Sequence, residues 1–301
     1  MYRTLVILRH TFREAIVQPI YTLLLVLGAA IVAIFGMLPF FTLGEDTTMF
    51  KSVGLDIVLL FVLIATLFAC SKSIYDEIED RTMLTLMSKP LFKWEVLVGK
   101  YLGIVLSALL AVVVLGTVLA LATWYRIPGD YNIRASLDDR ELRRLFEVRA
   151  MNVISLVPSL LQIWLQIGAL AAVGVAISTR VSLVVNLPVV ILVYIAGNLT
   201  RFIYPIVGDH APLAERSWLV KAPAYLISIV FPYLEAFDMR ALTIHRPLAI
   251  FRFASDPNAV ELSTIFNYLG ISAAYAVAYA IFALSVGMWL FQTRELGGAE
   301  G

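Results

Sequence analysis

The sequence predicts an all-α polytopic membrane protein, and two observations lead to that prediction. Of its 301 residues, 60% are hydrophobic and only 15% are charged, whereas soluble domains carry about a quarter charged residues. The apolar residues also form runs of the roughly 20 residues that a helix needs to cross a bilayer. Six runs predict six spans within a single transmembrane domain, 1–301: 20–41, 53–73, 97–124, 154–178, 183–204 and 265–291.

Residues 1–18, before the first span, have the pattern of an amphipathic helix. Leu5, Leu8 and Phe12 share one helical face with Ala15 and Ile16, and basic residues dominate the other face. This pattern favours a helix at the cytoplasmic membrane surface, and a charged flank that orients the first span is the alternative. Both place the N-terminus inside. The apolar run that follows is too long for the core of a signal peptide, so we expect it to be retained.

With the N-terminus inside, six spans return the C-terminus inside and leave 125–153 and 205–264 as long outer segments. In the first, Ser136 and Asp139 have the spacing of a capping box, which predicts a short helix. In the second, Pro223 and Pro232 interrupt the apolar stretch 218–239. We interpret this stretch as short re-entrant or interfacial helices, and a seventh span is the alternative. Lysine and arginine placement does not decide the orientation.

Nucleotide and nucleic-acid binding are not expected. The net charge is +1 and the basic residues are scattered, which excludes a nucleic-acid surface. The one Gly-Lys pair, Gly99-Lys100, is followed by Tyr101, and Trp94 stands where a phosphate loop begins with glycine. We therefore predict no ATP site, no cofactor and no enzymatic activity in this chain.

Metal and proton-relay chemistry are also not expected. The three histidines, His10, His210 and His245, lie far apart and form no zinc motif. Asp56 and Asp76 lie near the two ends of the second span, which argues against an intramembrane acid pair. Energy for any transport would have to come from outside the chain.

Four amides interrupt the apolar spans. Gln162 and Gln166 lie one turn apart on the fourth span, and Asn186 and Asn198 lie on the fifth. They fit two interpretations, hydrogen bonds between helices or the lining of a translocation path.

Residues 75–100 form a densely charged segment between the second and third spans. Within it, residues 82–88 have a short apolar helical pattern that ends at Pro90, because Lys89 before the proline is disfavoured in the α region. A helix of this length cannot cross a bilayer and has no core of its own. Its expected use is contact with another surface.

From Glu79 to Gly103 the chain reads E-x-R-T-x-x-x-L-x-x-x-P-L-x-x-x-E-x-x-x-G-K-x-x-G. This order resembles the first cytoplasmic loop of ABC type-2 exporter permeases, where an acidic stretch precedes a short coupling helix and a Gly-Lys enters the next span. The family often has glycine where Arg81 stands and arginine where Lys93 stands. The residues that the written pattern fixes are Glu79, Arg81, Thr82, Leu86, Pro90, Leu91, Glu95, Gly99, Lys100 and Gly103.

Other features are similar to that family across nearly the whole chain. Residues 1–18 resemble the elbow helix of that family, and the six predicted spans resemble its transmembrane domain. Residues 218–239 lie where the family has re-entrant outer helices. Residues 231–238 and 291–296 resemble segments of one bacterial branch.

The resemblance implies a mechanism and a set of partners. A separate ABC ATPase subunit would bind ATP, and two permease chains, as a homodimer or heterodimer, would move with it in a bacterial-type inner membrane among lipids. Both termini would be cytoplasmic. The alternative is a membrane-embedded enzyme or assembly factor without transport. The resemblance assigns the coupling residues to contact with the ATPase subunit. Apolar side chains would enter a groove of the ATPase, charged side chains would fix the register of the contact, and a proline ends the helix. These residues are Leu84, Leu86, Met87, Glu77, Glu79, Asp80, Arg81, Lys89 and Pro90.

Overall fold

A computed structural model of the chain describes residues 2–38, 46–76, 92–130, 139–207, 218, 231–251 and 257–292. The described residues are overwhelmingly helical and contain no β-strand, only one isolated bridge between Leu248 and Val260. The all-α prediction is therefore confirmed. The long helices are α1 (Tyr2–Val17), α2 (Pro19–Met37), α3 (Asp46–Ser71), α4 (Lys93–Asp130), α5 (Asp139–Ile154), α6 (Leu156–Ser178), α7 (Leu183–Val207) and α8 (Leu262–Gln292).

Five helices are long and apolar enough to cross a membrane. They comprise α2, α3 with its continuation to Ile74, α4, the α5–α6 pair and α8. Within the part of the chain that the structure describes, the apolar stretch of α7 is shorter, Leu183–Leu199. These helices establish an integral, multi-pass membrane protein, and the count of six spans remains a prediction.

Several helices extend beyond the predicted spans. Helix α3 begins at Asp46 and passes into a π-helical turn, Lys72–Asp76. Helix α4 continues as far as Asp130. The predicted coupling helix 82–88, all nine predicted ATPase-contact residues and Ser136 of the predicted capping box lie outside the described residues, as does most of 218–239.

Helix α6 is the centre of the described bundle. It packs against α3, α4, α7 and α8, and most of its residues are buried. At its crossing with α8, a Cβ added to Gly287 would lie 2.8 Å from the Cα of Ala176. Ala172, Ala280 and Ala283 continue this contact. Small residues allow close approach of membrane helices, where packing replaces the hydrophobic effect as the driving force.

Residues 231–243, which we call the crossing segment, fold back onto the bundle without forming a long helix. They contain a 3-10 turn, Leu234–Phe237, and a single α-helical turn, Arg240–Thr243. A Cβ on Gly197 of α7 would lie 2.7 Å from the carbonyl oxygen of Pro232, so only glycine admits the segment there. Irregular backbone at membrane depth is tolerated where protein buries it or where it lines a cavity.

Candidate functional site

A polar cavity lies where α3, α6 and α7 meet the crossing segment. Its volume is about 200 Å³. Leu55, Leu59 and Ile163 supply apolar walls. The polar side chains that line it come from all four elements: Asp56, Ser159, Gln166, Tyr194, Asn198, Asp238 and Arg240.

An ion pair joins α3 to the crossing segment at this cavity. A guanidinium nitrogen of Arg240 lies 2.5 Å from Oδ1 of Asp56. The Arg240 backbone N–H donates to Oδ1 of Asp238 at 3.0 Å, which orients the start of the helical turn. The Asp56 side chain is 59% exposed and that of Arg240 24%. The pair therefore lies at the opening of the cavity rather than in its interior.

Hydroxyl groups hold the crossing segment to the bundle behind this ion pair. Ser159 of α6 and Thr243 share a hydrogen bond of 2.7 Å between their hydroxyl oxygens. Tyr275 of α8 accepts a hydrogen bond from the Tyr233 backbone N–H at 2.8 Å. Because the segment contains only two short helical turns, these side-chain contacts help to position it.

The four amides singled out from the sequence separate into two pairs. Gln166 and Asn198 line the cavity, and Asn198 also donates to the Tyr194 carbonyl in its own helix. Gln162 is fully buried and donates to the Ser272 hydroxyl of α8 at 3.0 Å.

Asn186 is equally buried, but at another helix contact. It donates to the Ser71 hydroxyl of α3 at 2.7 Å and to the Gly174 carbonyl of α6 at 3.2 Å. Gln162 and Asn186 thus connect helices, whereas Gln166 and Asn198 face the polar cavity.

A second cluster fixes the two chain ends that flank residues 77–91. The Glu95 carboxylate accepts a hydrogen bond from the Phe92 backbone N–H, as the third helical residue does in a capping box, and so begins α4. Lys100 of α4 is buried and donates to the Ser73 backbone carbonyl at the end of α3. A cation at a helix C-terminus also complements the helix dipole. Residues 72–76 and 92–100 are therefore connected to each other.

Helix α1 packs on α4 at two glycines of the same motif. A Cβ on Gly99 would lie 2.9 Å from Cγ2 of Ile7, and one on Gly103 would lie 2.7 Å from the Leu8 carbonyl oxygen. The spacing of four residues places both glycines on one face of α4, which lets the backbones approach. The buried α1 residues are Thr11 and Ala15, while Leu5 is exposed.

The end of α8 lies beside this cluster. The Lys93 ammonium donates to the Phe291 carbonyl at 3.4 Å and lies 5.1 Å from the centroid of that ring. Arg180, after α6, donates to the Leu290 carbonyl at 3.0 Å. Two cations thus satisfy C-terminal carbonyls of α8. We call Glu95, Lys100, Lys93 and Arg180 the loop frame.

Comparison with known proteins connects these features. The family model described as "ABC-2 family transporter protein" matches residues 5–296. The chain belongs to the ABC-2 transporter family. No curated protein matches it significantly. The ABC-2 family resemblance seen in residues 79–103 is thereby confirmed for the chain as a whole.

In this ABC-2 family member, α3 connects the cavity with the loop frame. Asp56 and Ser73 are 17 positions apart, which corresponds to about 25 Å along a helix. The two sites therefore lie near opposite ends of one transmembrane element. The motif positions Glu95, Lys100 and Gly103 have structural roles around the loop.

Sequence reasoning did not find Arg240, Ser159 or Thr243 in this ABC-2 family protein. Arg240 lies in the segment 205–264, to which the sequence assigned no function, and it meets Asp56 across 184 residues. A signal was present, because a carboxylate in an apolar helix requires a partner or water. The sequence did not identify which basic residue would pair with Asp56.

Proposed function

We propose that this chain is the permease subunit of an ATP-driven exporter and that it couples through residues 77–91 to a separate ATPase subunit. The observation that carries the proposal is the loop frame. Lys100 joins the ends of α3 and α4 on either side of residues 77–91, and Glu95 begins α4 directly after them. A displacement of this loop would therefore move α3 and α4 together.

The proposed mechanism uses α3 as the transmitting element. ATP would bind to the partner ATPase subunits, and their closure would displace the loops of two permease chains. Because α3 leads from the loop frame to Asp56, its displacement would change the distance between Asp56 and Arg240. The cavity next to that pair, with Gln166 and Asn198 in its wall, is the part of the pathway that we assign to this chain.

The location in a bacterial-type inner membrane with both termini cytoplasmic belongs to the same proposal. In that orientation the loop frame faces the ATPase, and the crossing segment faces outward. A basic N-terminal helix packed on α4 is consistent with a cytoplasmic leaflet, where anionic lipids attract lysine and arginine.

Co-purification with an ATPase tests the coupling directly. The chain would be co-expressed with candidate ABC ATPase subunits from the same organism, and the complex would be isolated through a tag on the ATPase. We expect Leu84→Asp and Glu79→Lys to abolish co-purification. Arg144→Glu, an exposed charge reversal on α5, is the control and should leave the complex intact.

If both loop variants still assembled and hydrolysed ATP at the normal rate, the coupling assignment would be wrong. Orientation needs a separate measurement. Ser88→Cys and Ser136→Cys would be labelled in intact cells with a membrane-impermeant maleimide, since the natural Cys70 is buried. We expect only Ser136→Cys to react, and labelling of Ser88→Cys instead would reverse the proposed topology.

A further inference from the structure

An apolar groove opens on the perimeter of the bundle between α4 and the α5–α6 pair. Its volume is about 240 Å³, and its lining includes Leu109, Val113, Thr117, Leu161 and Trp164. The groove offers almost no polar contact, because its two polar side chains are already bonded. Thr117 donates to the Val114 carbonyl, and the Trp164 indole donates to the Val105 carbonyl.

The length of the groove corresponds to one leaflet of a bilayer. Its lining extends from Leu109 to Ala120 on α4 and from Val153 to Trp164 on the facing helices. Each distance is about 17 Å at the helical rise. Half of the hydrocarbon core of a bilayer is about 15 Å. A single acyl chain entering from one membrane surface would therefore fill the groove.

One end of the groove leads to an arginine. Arg149 lies one turn before Val153, and its guanidinium carbon is 5.6 Å from the centroid of Trp124, which follows Ala120 by one turn. Phe146 packs edge-on against the same indole. Tryptophan is enriched at the boundary between hydrocarbon and headgroups, so this end has the character of the interface.

Among the side chains that the structure describes, none places a carboxylate in an ion pair with Arg149. Ion pairs among those side chains include His10 with Glu14 and Arg240 with two aspartates. The Nε of Arg149 is buried without a hydrogen-bond partner in the described structure. Arg149 as a whole is only partly buried, and a guanidinium without a carboxylate partner is a suitable donor for a phosphate group.

We propose that the groove binds one glycerophospholipid, with its phosphate at Arg149 and an acyl chain between α4 and α6. The groove is apolar over the depth of one leaflet and ends at a cation stacked on an aromatic ring. A glycerophospholipid has the same arrangement, with apolar chains attached to a charged phosphate. A second copy of this chain on the groove is the other possible occupant, and the test below distinguishes it from a lipid. The proposal concerns a bound lipid at the perimeter, and it does not depend on the transport function.

Native mass spectrometry of the delipidated full-length protein tests this site. The protein in detergent would be titrated with dioleoylphosphatidylglycerol and, in parallel, with diolein, which has the same chains but no phosphate. We expect one tightly retained phospholipid per chain and much weaker retention of diolein. Arg149→Gln should weaken phospholipid binding about tenfold, the effect of losing one charge-assisted hydrogen bond.

Matched variants separate the two parts of the site. Val113→Trp would fill the groove and should remove tight binding, and Thr117→Phe provides a second filling variant in case the first misfolds. Val114→Trp, next to Val113 but outside the lining, and Arg144→Gln, an exposed arginine on α5, should bind as the unmodified protein does.

The proposal would be overturned if phospholipid bound equally well to the unmodified protein, to Arg149→Gln and to both filling variants. It would also be overturned if the filling variants converted a dimer into a monomer and left lipid binding unchanged. The groove would then be a contact between two copies of the chain. Equal retention of diolein and phospholipid would exclude the assigned role of Arg149.

Discussion

Asp56 and Arg240 form an ion pair across 184 residues, with 2.5 Å between carboxylate oxygen and guanidinium nitrogen. The pair connects the regular helix α3 to the irregular crossing segment at the opening of the polar cavity. Ser159 and Thr243 make the next contact inward. We therefore expect access to the cavity to depend on this contact between α3 and the crossing segment.

We predict that Asp56→Asn and Arg240→Gln each increase access to the cavity. A reporter thiol would be introduced by Ile163→Cys, which lines the cavity without replacing a hydrogen-bonding side chain, and would be labelled with a water-soluble maleimide. Loss of a partly exposed ion pair corresponds to about 0.4–1 kcal/mol, so the labelling rate should rise about twofold to fivefold. Glu261→Gln is the control, because Glu261 is an exposed acid bonded to Ser263 rather than to the crossing segment. Unchanged labelling in both variants would exclude the pair as a closure of the cavity.

The loop frame supports a second prediction. Lys100→Met should lower the free energy of unfolding by about 1–3 kcal/mol, because it leaves the buried Ser73 carbonyl without its donor. It should also reduce co-purification with the ATPase, since α3 and α4 would no longer be joined beside the loop. Thermal unfolding in detergent and the pull-down measure the two effects.

Lys72→Met is the matched control for that experiment. Lys72 lies on the same π-helical turn as Ser73 but is exposed, so its replacement should change neither stability nor assembly. If the two lysine variants behaved alike, the buried contact of Lys100 would have no special role in the loop frame.

The helices and the motif positions could be predicted from the sequence, but the contacts that give the motif its physical meaning could not. Gly99 and Gly103 were identified through a resemblance. Their role, admitting α1 against α4, depends on a crossing that periodicity does not determine. Hydropathy locates each span separately, and the choice of neighbouring helices follows from side-chain packing throughout the bundle.

Polar residues in the spans illustrate the same limit. Gln162 and Gln166 lie one turn apart in an equally apolar sequence, yet one bonds to Ser272 and the other faces the cavity. A rotation of about 40° separates residues at this spacing in an α-helix. Which of two such residues is enclosed by a neighbouring helix and which faces a cavity depends on the placement of that neighbour.

The contact of α1 with α4 predicts opposite effects for one substitution at two glycines. Gly103→Ala should destabilise the protein by about 1–3 kcal/mol, because the new Cβ would meet the Leu8 backbone oxygen. Gly270→Ala, in α8, has open space around the added Cβ and should stabilise by up to about 1 kcal/mol through helix propensity. Thermal unfolding in one detergent compares them. If both alanine variants raised the unfolding temperature by the same amount, α1 would not pack tightly on Gly103.

The separation of the four amides predicts that stability and cavity properties respond to different residues. Asn186→Ala removes hydrogen bonds to Ser71 and Gly174 and should lower the free energy of unfolding by about 0.5–2 kcal/mol, the range for bonds between membrane helices. Asn198→Ala removes only a bond within its own helix and should leave unfolding nearly unchanged. With the Ile163→Cys reporter, however, Asn198→Ala should alter the labelling rate, because Asn198 lines the same cavity, whereas Asn186→Ala should not. Equal thermal shifts in the two asparagine variants, with no difference in labelling, would contradict the assignment of Asn198 to the cavity and of Asn186 to helix contact.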